Sequence, residues 1–332
     1  MNKLFFLFLF LFSSVTSFSS EVNLSTRPDP EGVPTPVSIS IYVIDIEYVD
    51  NLRQNFTADF MVVTRWKDER LKGDDRTLDL DEIWWPNATV LNGRDLSSLM
   101  PKRAQISENG SVLYRQRYYG KLACRLNLRD FPFDQQVLPI SVITIGHSPE
   151  QIDLSFLHDF SGNIDDFSNA DWEIGNGVGT VDVFKAYSSS KSHKEFSLPI
   201  THFKFNAKRH VFYYIWKVVV PLLVIVMMSW AAFYFEPEQI APQIGLAATS
   251  ILTLIAFLFS LGKILPPIAY LTKIDFYVYS SLALVFLAFT EAVFTIKLAS
   301  NGNTVLAKRI DRFSRWLFPL IFLMILVLFA TF

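Results

Sequence analysis

From residue 213 onward, charged side chains disappear in four long blocks, and this feature constrains the fold more than any other. No Asp, Glu, Lys or Arg occurs within residues 218–235, 239–262, 276–290 or 316–332. A helix that crosses the hydrocarbon core of a membrane needs about 20 mostly apolar residues. Buried helices of a soluble domain rarely come as four such blocks in a row. We therefore predict four membrane-spanning helices at about 213–235, 241–264, 274–298 and 313–332.

Residues 1–20 have the layout of a secretory signal peptide. Lys3 precedes an apolar stretch at 4–12, and small or polar residues dominate 13–20. Such a stretch is too short to cross a membrane and is typical of a leader that is removed, here near Ser19. The basic excess between the third and fourth spans predicts that this link is cytoplasmic. We expect a multi-pass protein of the plasma (inner) membrane whose N-terminal domain and C-terminus are extracellular or periplasmic.

Residues 21–212 have the pattern of a β-rich domain. Apolar and polar residues alternate in Ser38-Ile39-Ser40-Ile41-Tyr42-Val43, and turn pairs such as Asn92-Gly93 and Asn109-Gly110 recur between such runs. Many short alternating segments separated by turns are typical of an antiparallel sandwich. The domain carries an excess of six acidic side chains, so nucleic-acid binding is not expected.

Six side chains in the second predicted span recur at alternating intervals of four and three residues, which places them in one stripe along a helix. The stripe consists of Gly245, Thr249, Leu252, Ala256, Phe259 and Lys263. A packing seam between helices is one interpretation, because small and hydroxyl-bearing residues are favoured there. A pore is the other, with small side chains that pass an ion and apolar constrictions at Leu252 and Phe259. A pore would require a ring of several copies.

Motifs spread over residues 35–332 resemble those of one family. They are Trp66-x-Asp68-x-Arg70-Leu71, Ile83-Trp84-x-Pro86, Phe131-Pro132-Phe133-Asp134-Gln135-Gln136, Pro221 with Ser229-Trp230, Leu265-Pro266 and Phe318-Pro319. In order and spacing they resemble the pentameric ligand-gated ion channels, the Cys-loop receptor superfamily. The bacterial type is the most similar, because Cys124 stands where the family's loop disulfide would start and Leu138 occupies the partner position.

The resemblance implies a fold, an assembly and a function. It implies an extracellular, immunoglobulin-like β-sandwich over 21–212, a four-helix transmembrane bundle over 213–332, and five identical subunits around a pore that the stripe lines. The implied function is a ligand- or pH-gated ion channel, without cofactor or metal site. An enzyme is not expected, since the five histidines are scattered and no nucleophile or phosphate-loop motif occurs. A multi-span sensor that does not conduct is the alternative from another class.

The same resemblance implies how the two domains are coupled. The motif at 131–136 is the family's signature loop, and Asp134 at its tip is expected to pair with Arg209 at the membrane surface. The loop after the second span would lie beside this pair. The residues expected to couple the domains are Phe131, Pro132, Phe133, Asp134, Arg209, Pro266 and Tyr270.

The ligand site of the family lies between subunits, where aromatic side chains surround a cationic ligand. Tyr187 and Phe196 flank a Ser-rich stretch and match the capping loop. The other expected ligand-binding positions are Leu91, Ile145, His147 and Met61. Because most of these are not aromatic, an amine agonist and a proton-linked mechanism both stay open. In the second case His147, His202, His210 or the acidic surface would titrate.

The permeating ion is expected to be a monovalent cation. No Lys or Arg lies between Lys217 and Lys263, and Glu238 with Gln243 stands at the cytoplasmic mouth of the expected pore. Five copies of an acidic side chain would concentrate cations. Lys263 and Pro242 argue against this expectation, so an anion-selective channel of the same family is the alternative.

Overall fold

The computed structural model describes residues 23–29, 31–164, 167–187, 195–236, 238–262 and 268–331. At Tyr187, Glu195 and Phe196 it describes the backbone alone. The expected signal peptide, the tip of the capping loop, Lys263 and Pro266 lie outside the described residues.

Two β-sheets form the N-terminal domain. The eight-stranded sheet contains β1 (Thr35–Asp50), β2 (Asn55–Lys67), β3 (Thr77–Asp79), β5 (Gly93–Ser98), β6 (Arg103–Ile106), β7 (Ser111–Ala123), β9 (Ile152–Phe156) and β10 (Gly162–Asn163). The five-stranded sheet contains β4 (Ala88–Val90), β8 (Gln135–Thr144), β11 (Trp172–Ile174), β12 (Val178–Tyr187) and β13 (Glu195–Arg209). The pairing is antiparallel except that β9 and β10 run parallel to β1. The predicted sandwich is confirmed.

The alternation of side chains along the strands builds the core of the sandwich. On β2, Phe56, Ala58 and Phe60 are buried, whereas Asp59 and Met61 are partly exposed on the other face. Successive residues of a strand point to opposite faces, so the buried set meets the inner face of the five-stranded sheet. The outward set faces away from this core, where Asp59 pairs with Arg117 of β7.

Four long apolar helices follow the sandwich. They are α1 (Phe212–Tyr234), α2 (Ile240–Leu261), α3 (Lys273–Ser300) and α4 (Thr304–Thr331), each long and apolar enough to cross a membrane. The predicted class of fold, a sandwich followed by four apolar helices, is confirmed. Thr272 caps α3 by accepting a hydrogen bond from the backbone of Asp275, whose side chain accepts one from the backbone of Thr272 in return.

The fourth helix begins well before the expected span at 313. Residues 301–303 alone separate α3 from α4, so the expected link between the third and fourth spans is mostly helix. Charged side chains end a hydrophobic window without ending a helix, because Lys, Arg and Ala have high helix propensity. Two hydrogen bonds join α4 to α1. The Trp230 indole donates to the carbonyl of Arg315 at 3.1 Å, and Arg315 Nε donates to the carbonyl of Phe233 at 2.8 Å.

Candidate functional site

The stripe on α2 lies on the open side of the helix bundle. Gly245, Thr249 and Ala256 are exposed, and the exposed fractions of Leu252 and Phe259 are 67% and 78%. The opposite face of α2 is buried against the other helices through Gln243, Ala247, Ser250, Leu254 and Leu261. The five described members of the stripe therefore take no part in a packing seam within the protomer.

The exposed face of α2 also differs in chemistry from that of α4. Exposed positions of α4 carry large apolar side chains, among them Trp316, Leu320 and Leu323. That composition suits contact with lipid chains. The α2 face instead alternates such residues with small ones, and a Cβ atom added at Gly245 would meet nothing within 4 Å. The two exposed faces therefore differ in the size of their side chains.

The two residues expected at the selectivity mouth lie in different environments. Gln243 does not share the stripe: its side chain is fully buried, and neither of its amide atoms has a hydrogen-bond partner among the described residues. A helix turns about 100° per residue, so a position two residues before Gly245 faces away from it. Glu238 is exposed, and its carboxylate lies 3.1 Å from the Lys308 ammonium. This hydrogen bond lowers the pKa of Glu238.

Asp134 and Arg209 form a buried ion pair at the junction of the two domains. Arg209 Nε donates to Asp134 Oδ1 at 2.7 Å, and Arg209 Nη2 donates to Asp134 Oδ2 at 3.0 Å. The exposed fraction of the side chain is 2% for Arg209 and 1% for Asp134. Gln136 Nε2 donates to the same carboxylate, and Arg209 Nη2 also donates to Asn51 Oδ1 at 2.9 Å. Bidentate, charge-assisted geometry of this kind is among the strongest that side chains form.

Aromatic rings enclose the Arg209 guanidinium on its other sides. Its Cζ atom lies 4.0 Å from the ring centre of Trp172 on β11 and 4.8 Å from that of Phe131. Phe131 in turn meets Tyr214 of α1 edge-on at 4.7 Å. Cation–π attraction adds to the ion pair. Arg209 thus joins strand, signature loop and first helix at one point.

The signature loop contacts the helices through its backbone as well. The Tyr270 hydroxyl accepts a hydrogen bond from the Leu128 N–H at 3.0 Å, and the Ile274 N–H donates to the carbonyl of Phe131 at 3.2 Å. Phe133 meets Phe329 near the end of α4 at 5.2 Å. Pro132 is buried in the same loop. The loop is therefore in contact with α1, α3 and α4 and with Tyr270, which precedes α3.

One half of the expected ligand cage belongs to the five-stranded sheet. Leu91 and Ile145 are exposed there, held by hydrogen bonds from the Leu91 N–H to the carbonyl of Ser141 and from the Ile145 N–H to that of Asn87. In the hairpin of β12 and β13, the backbone pairs Tyr187 with Glu195 and places Phe196 opposite Ala186.

His147 lies beside Ile145, in a pocket of about 450 Å³ that also includes Trp84 and Asn87. Its ring meets Trp84 edge-on at 5.4 Å. Burial is the main cause that lowers the pKa of His147, and the charge of Arg27 lowers it further. This histidine is therefore held in its neutral form at neutral pH.

Met61 lies on the eight-stranded sheet, away from the other expected cage residues. Its strand register places it between Tyr42 and Arg117 on the outward face. Arg117 in turn forms a bidentate pair with Asp59 at 2.9 and 2.6 Å. Tyr42 and Arg117 were not predicted as site residues, because their nearness to Met61 depends on strand register. Met61 and Ile145 therefore belong to different sheets of the sandwich.

The sandwich, the four apolar helices and the buried junction between them define the class of protein, a β-rich domain joined to four helices that could span a membrane. Residues 14–211 match the family model of the neurotransmitter-gated ion-channel ligand binding domain, and residues 218–304 match that of the neurotransmitter-gated ion-channel transmembrane region. The chain belongs to this family of ligand-gated ion channels, and the expectation that it is not an enzyme is confirmed.

Animal receptor subunits are among its relatives. The chain is 28% identical over 286 residues to the gamma-aminobutyric acid receptor subunit theta of Mus musculus, covering 83% of this chain and 44% of that protein. It is 24% identical over 302 residues to subunit beta of Lymnaea stagnalis, covering 84% and 59%. It is 27% identical over 286 residues to subunit beta-4 of Gallus gallus, covering 81% and 56%. The chain spans about half the length of these curated relatives.

Proposed function

We propose that the chain is one subunit of a homopentameric ligand-gated channel in which α2 of each copy lines the pore. The observation that carries this proposal is the exposed stripe on α2, whose opposite face is buried in the protomer. One helix cannot enclose a pore, but a ring of copies with this face inward would line one with Thr249, Leu252 and Phe259. The family supplies the number of five.

A second observation supports assembly into a ring. The two halves of the ligand cage lie on different sheets of the protomer, with Ile145 and His147 on one side and Met61 on the other. In a ring, each interface brings one half from each neighbour together. The agonist site then forms between subunits and comprises Leu91, Ile145, His147, Tyr187 and Phe196 from one copy and Met61 from the next.

The agonist in this proposal is a small amine. The relatives are receptors for gamma-aminobutyric acid, which carries an ammonium group, and the exposed Tyr42 beside Met61 offers an aromatic face for such a cation. Protons are the second candidate, supported by His147 in its pocket. Burial and Arg27 oppose protonation of His147, so gating through this residue would need acidic conditions.

Gating in this proposal passes through the signature loop. Agonist binding moves the sandwich, the buried pair of Asp134 and Arg209 transmits the movement to α1, and the contacts of Tyr270 and Phe131 transmit it to the loop before α3. Pro266 would stiffen that loop. At Leu252 and Phe259, small changes in pore radius decide whether the apolar constriction is wet.

We assign cation selectivity to the pore, because the described stripe carries no basic side chain and the N-terminal domain is acidic. Two observations favour the anion-selective alternative. The Glu238 carboxylate pairs with Lys308, which reduces its field at the mouth, and the relatives are gamma-aminobutyric acid receptor subunits. With Gln243 buried, Glu238 alone keeps the role that we assigned to both residues.

We propose that the protein lies in the plasma membrane, with the sandwich and the end of α4 outside. The named relatives are animal proteins, so a bacterial origin and an inner-membrane location rest on the missing disulfide alone. Cys124 is buried and free, and Leu138 is fully buried.

Purified protein in a planar bilayer tests the function. Its detergent-extracted size should correspond to about five chains, and small amines or acidification should open a current. In a sodium chloride gradient, the reversal potential should follow sodium. A reversal potential that follows chloride supports the anion-selective channel, and a monomer without current under any condition would refute the channel.

A further inference from the structure

Two carboxyl groups face each other inside the helix bundle, away from the stripe and the junction. Glu291 of α3 and Asp311 of α4 lie close enough for their carboxyls to interact. All four carboxyl oxygens are buried, and none has a hydrogen-bond partner among the described residues. The exposed fraction of Asp311 is 1%. Buried carboxyls within a membrane span are costly, so their presence points to a function.

No described basic side chain neutralises this pair. Arg315 is the cation whose charge acts on Asp311. Its guanidinium is engaged elsewhere, because Nε donates to the carbonyl of Phe233 at 2.8 Å and Cζ lies 4.9 Å from the ring centre of Tyr234. Within the described residues, neither carboxyl is within ion-pair distance of a Lys or Arg. Two carboxylates in such surroundings need a positive charge between them, either a proton or a bound cation.

A cavity adjoins the pair and supplies room for a ligand. It measures about 230 Å³ and lies between α3, α4 and the end of α1. Its walls are mostly apolar and include Phe233, Leu284, Ala288 and Phe318, whereas Glu291 and Ser314 supply the polar groups. At about 30 Å³ for each water molecule, the cavity has the volume of roughly eight waters. That size fits a small organic molecule.

We propose that this cavity binds a small lipophilic amine, with the ammonium group against Glu291 and the apolar part among the aromatic and aliphatic walls. A primary ammonium donates hydrogen bonds to carboxylate oxygens and supplies the missing positive charge. The Ser314 hydroxyl gives a further polar contact. The same chemistry is carried by the headgroup of phosphatidylethanolamine, whereas the choline headgroup cannot donate a hydrogen bond. This site is separate from the agonist site between subunits.

Labelling of a thiol inside the cavity tests this proposal, because the rate of labelling reports whether the cavity is occupied. The variant Ser314→Cys is reacted with aminoethyl methanethiosulfonate in phosphatidylcholine nanodiscs, with and without phenethylamine. Cys124 is buried, and burial raises its pKa to about 12, so it stays silent. The amine should slow the labelling about tenfold at ten times its Kd. The uncharged 2-phenylethanol, which has the same size, should slow it far less.

Two controls make the result specific. Phe313→Cys places a thiol on the same helix at an exposed position outside the cavity lining, and its labelling should not respond to the amine. Glu291→Gln in the Ser314→Cys background should remove the difference between amine and alcohol. If Glu291→Gln fails to assemble, Ala288→Phe takes its place as the test variant. It fills the cavity and leaves the carboxylate of Glu291 unchanged, so it should abolish protection by either compound.

Nanodiscs that contain phosphatidylethanolamine identify the source of the ammonium group. If the lipid is the natural occupant, the thiol is protected in these discs without added amine. If the occupant is a free amine, the lipid has no effect and phenethylamine still protects.

Equal protection by amine and alcohol, unchanged protection after Glu291→Gln, or a thiol that never reacts with the cationic reagent would each refute the proposal. The labelling needs no current, so its failure leaves the proposed channel function standing.

Discussion

Removal of the Asp134 carboxylate tests the junction most severely. The change to Ala leaves the Arg209 guanidinium buried among Trp172, Phe131 and Tyr214 without its bidentate partner. Breaking a buried ion pair by removing one partner costs about 3–5 kcal/mol, because the remaining charge stays desolvated and unpaired. If about 2 kcal/mol of that cost separates the closed from the open state, the gating equilibrium shifts about thirtyfold. We therefore expect agonist-evoked current to be largely lost.

Current and surface expression are measured together in injected oocytes, with surface protein quantified by biotin labelling. Asp130→Asn is the matched control on the same loop, because Asp130 is exposed and its ion pair with Lys273 at 3.1 Å is worth less than about 1 kcal/mol. It should leave the current close to that of the unmodified chain. A double-mutant cycle with Arg209→Gln should give a coupling energy of about 2 kcal/mol or more between the partners. Normal currents from Asp134→Ala at normal surface expression would refute the reasoning.

Three further predictions concern the pore helix, the single thiol and pH. Leu252→Thr should favour the open channel, because a hydroxyl at the constriction helps water to enter it, and the expected result is current without agonist. Leu254→Thr, at a buried position, should instead lower thermal stability and surface expression. Cys124 should not react with a disulfide reagent at neutral pH until the chain unfolds, since burial raises its pKa to about 12. Because burial lowers the pKa of His147 from 6.5, the unfolded chain takes up a proton first as the pH falls. The contribution of His147 to the free energy of unfolding is therefore complete above about pH 6.5 and declines below it. His147→Gln should make the melting temperature fall less steeply with decreasing pH. An unchanged dependence of the melting temperature on pH would contradict the burial of a neutral His147.

Features that depend on a single helix or on local pattern could be predicted from the sequence. The stripe on α2 follows from the helical period alone, and the four apolar helices follow from the charge-free blocks. The pairing of Asp134 with Arg209 joins residues far apart in sequence, and it was predicted through the resemblance to a known family. The structure bears out these predictions because each rests on one periodicity or on one shared motif.

Features that depend on how two elements meet could not be predicted in this way. Gln243 is not of this kind: a turn of 100° per residue carries it away from Gly245, so a count along the single helix would have predicted that it faces the bundle. Arg117 lies beside Met61 through strand register, and Glu291 meets Asp311 through helix packing. Neither contact has a signal in the local sequence, because each partner looks like an ordinary residue of its own segment.

The orientation of α2 in the assembled channel is the central claim, and the accessibility of two leucines tests it most directly. Leu252→Cys and Leu254→Cys are treated with a charged, membrane-impermeant thiol reagent while the channel is open. Rapid, irreversible block of current is expected at position 252, and no effect is expected at position 254, which is fully buried in the protomer. Block at position 254 with position 252 inert would contradict this orientation, as would the absence of any effect at 252 in a conducting channel.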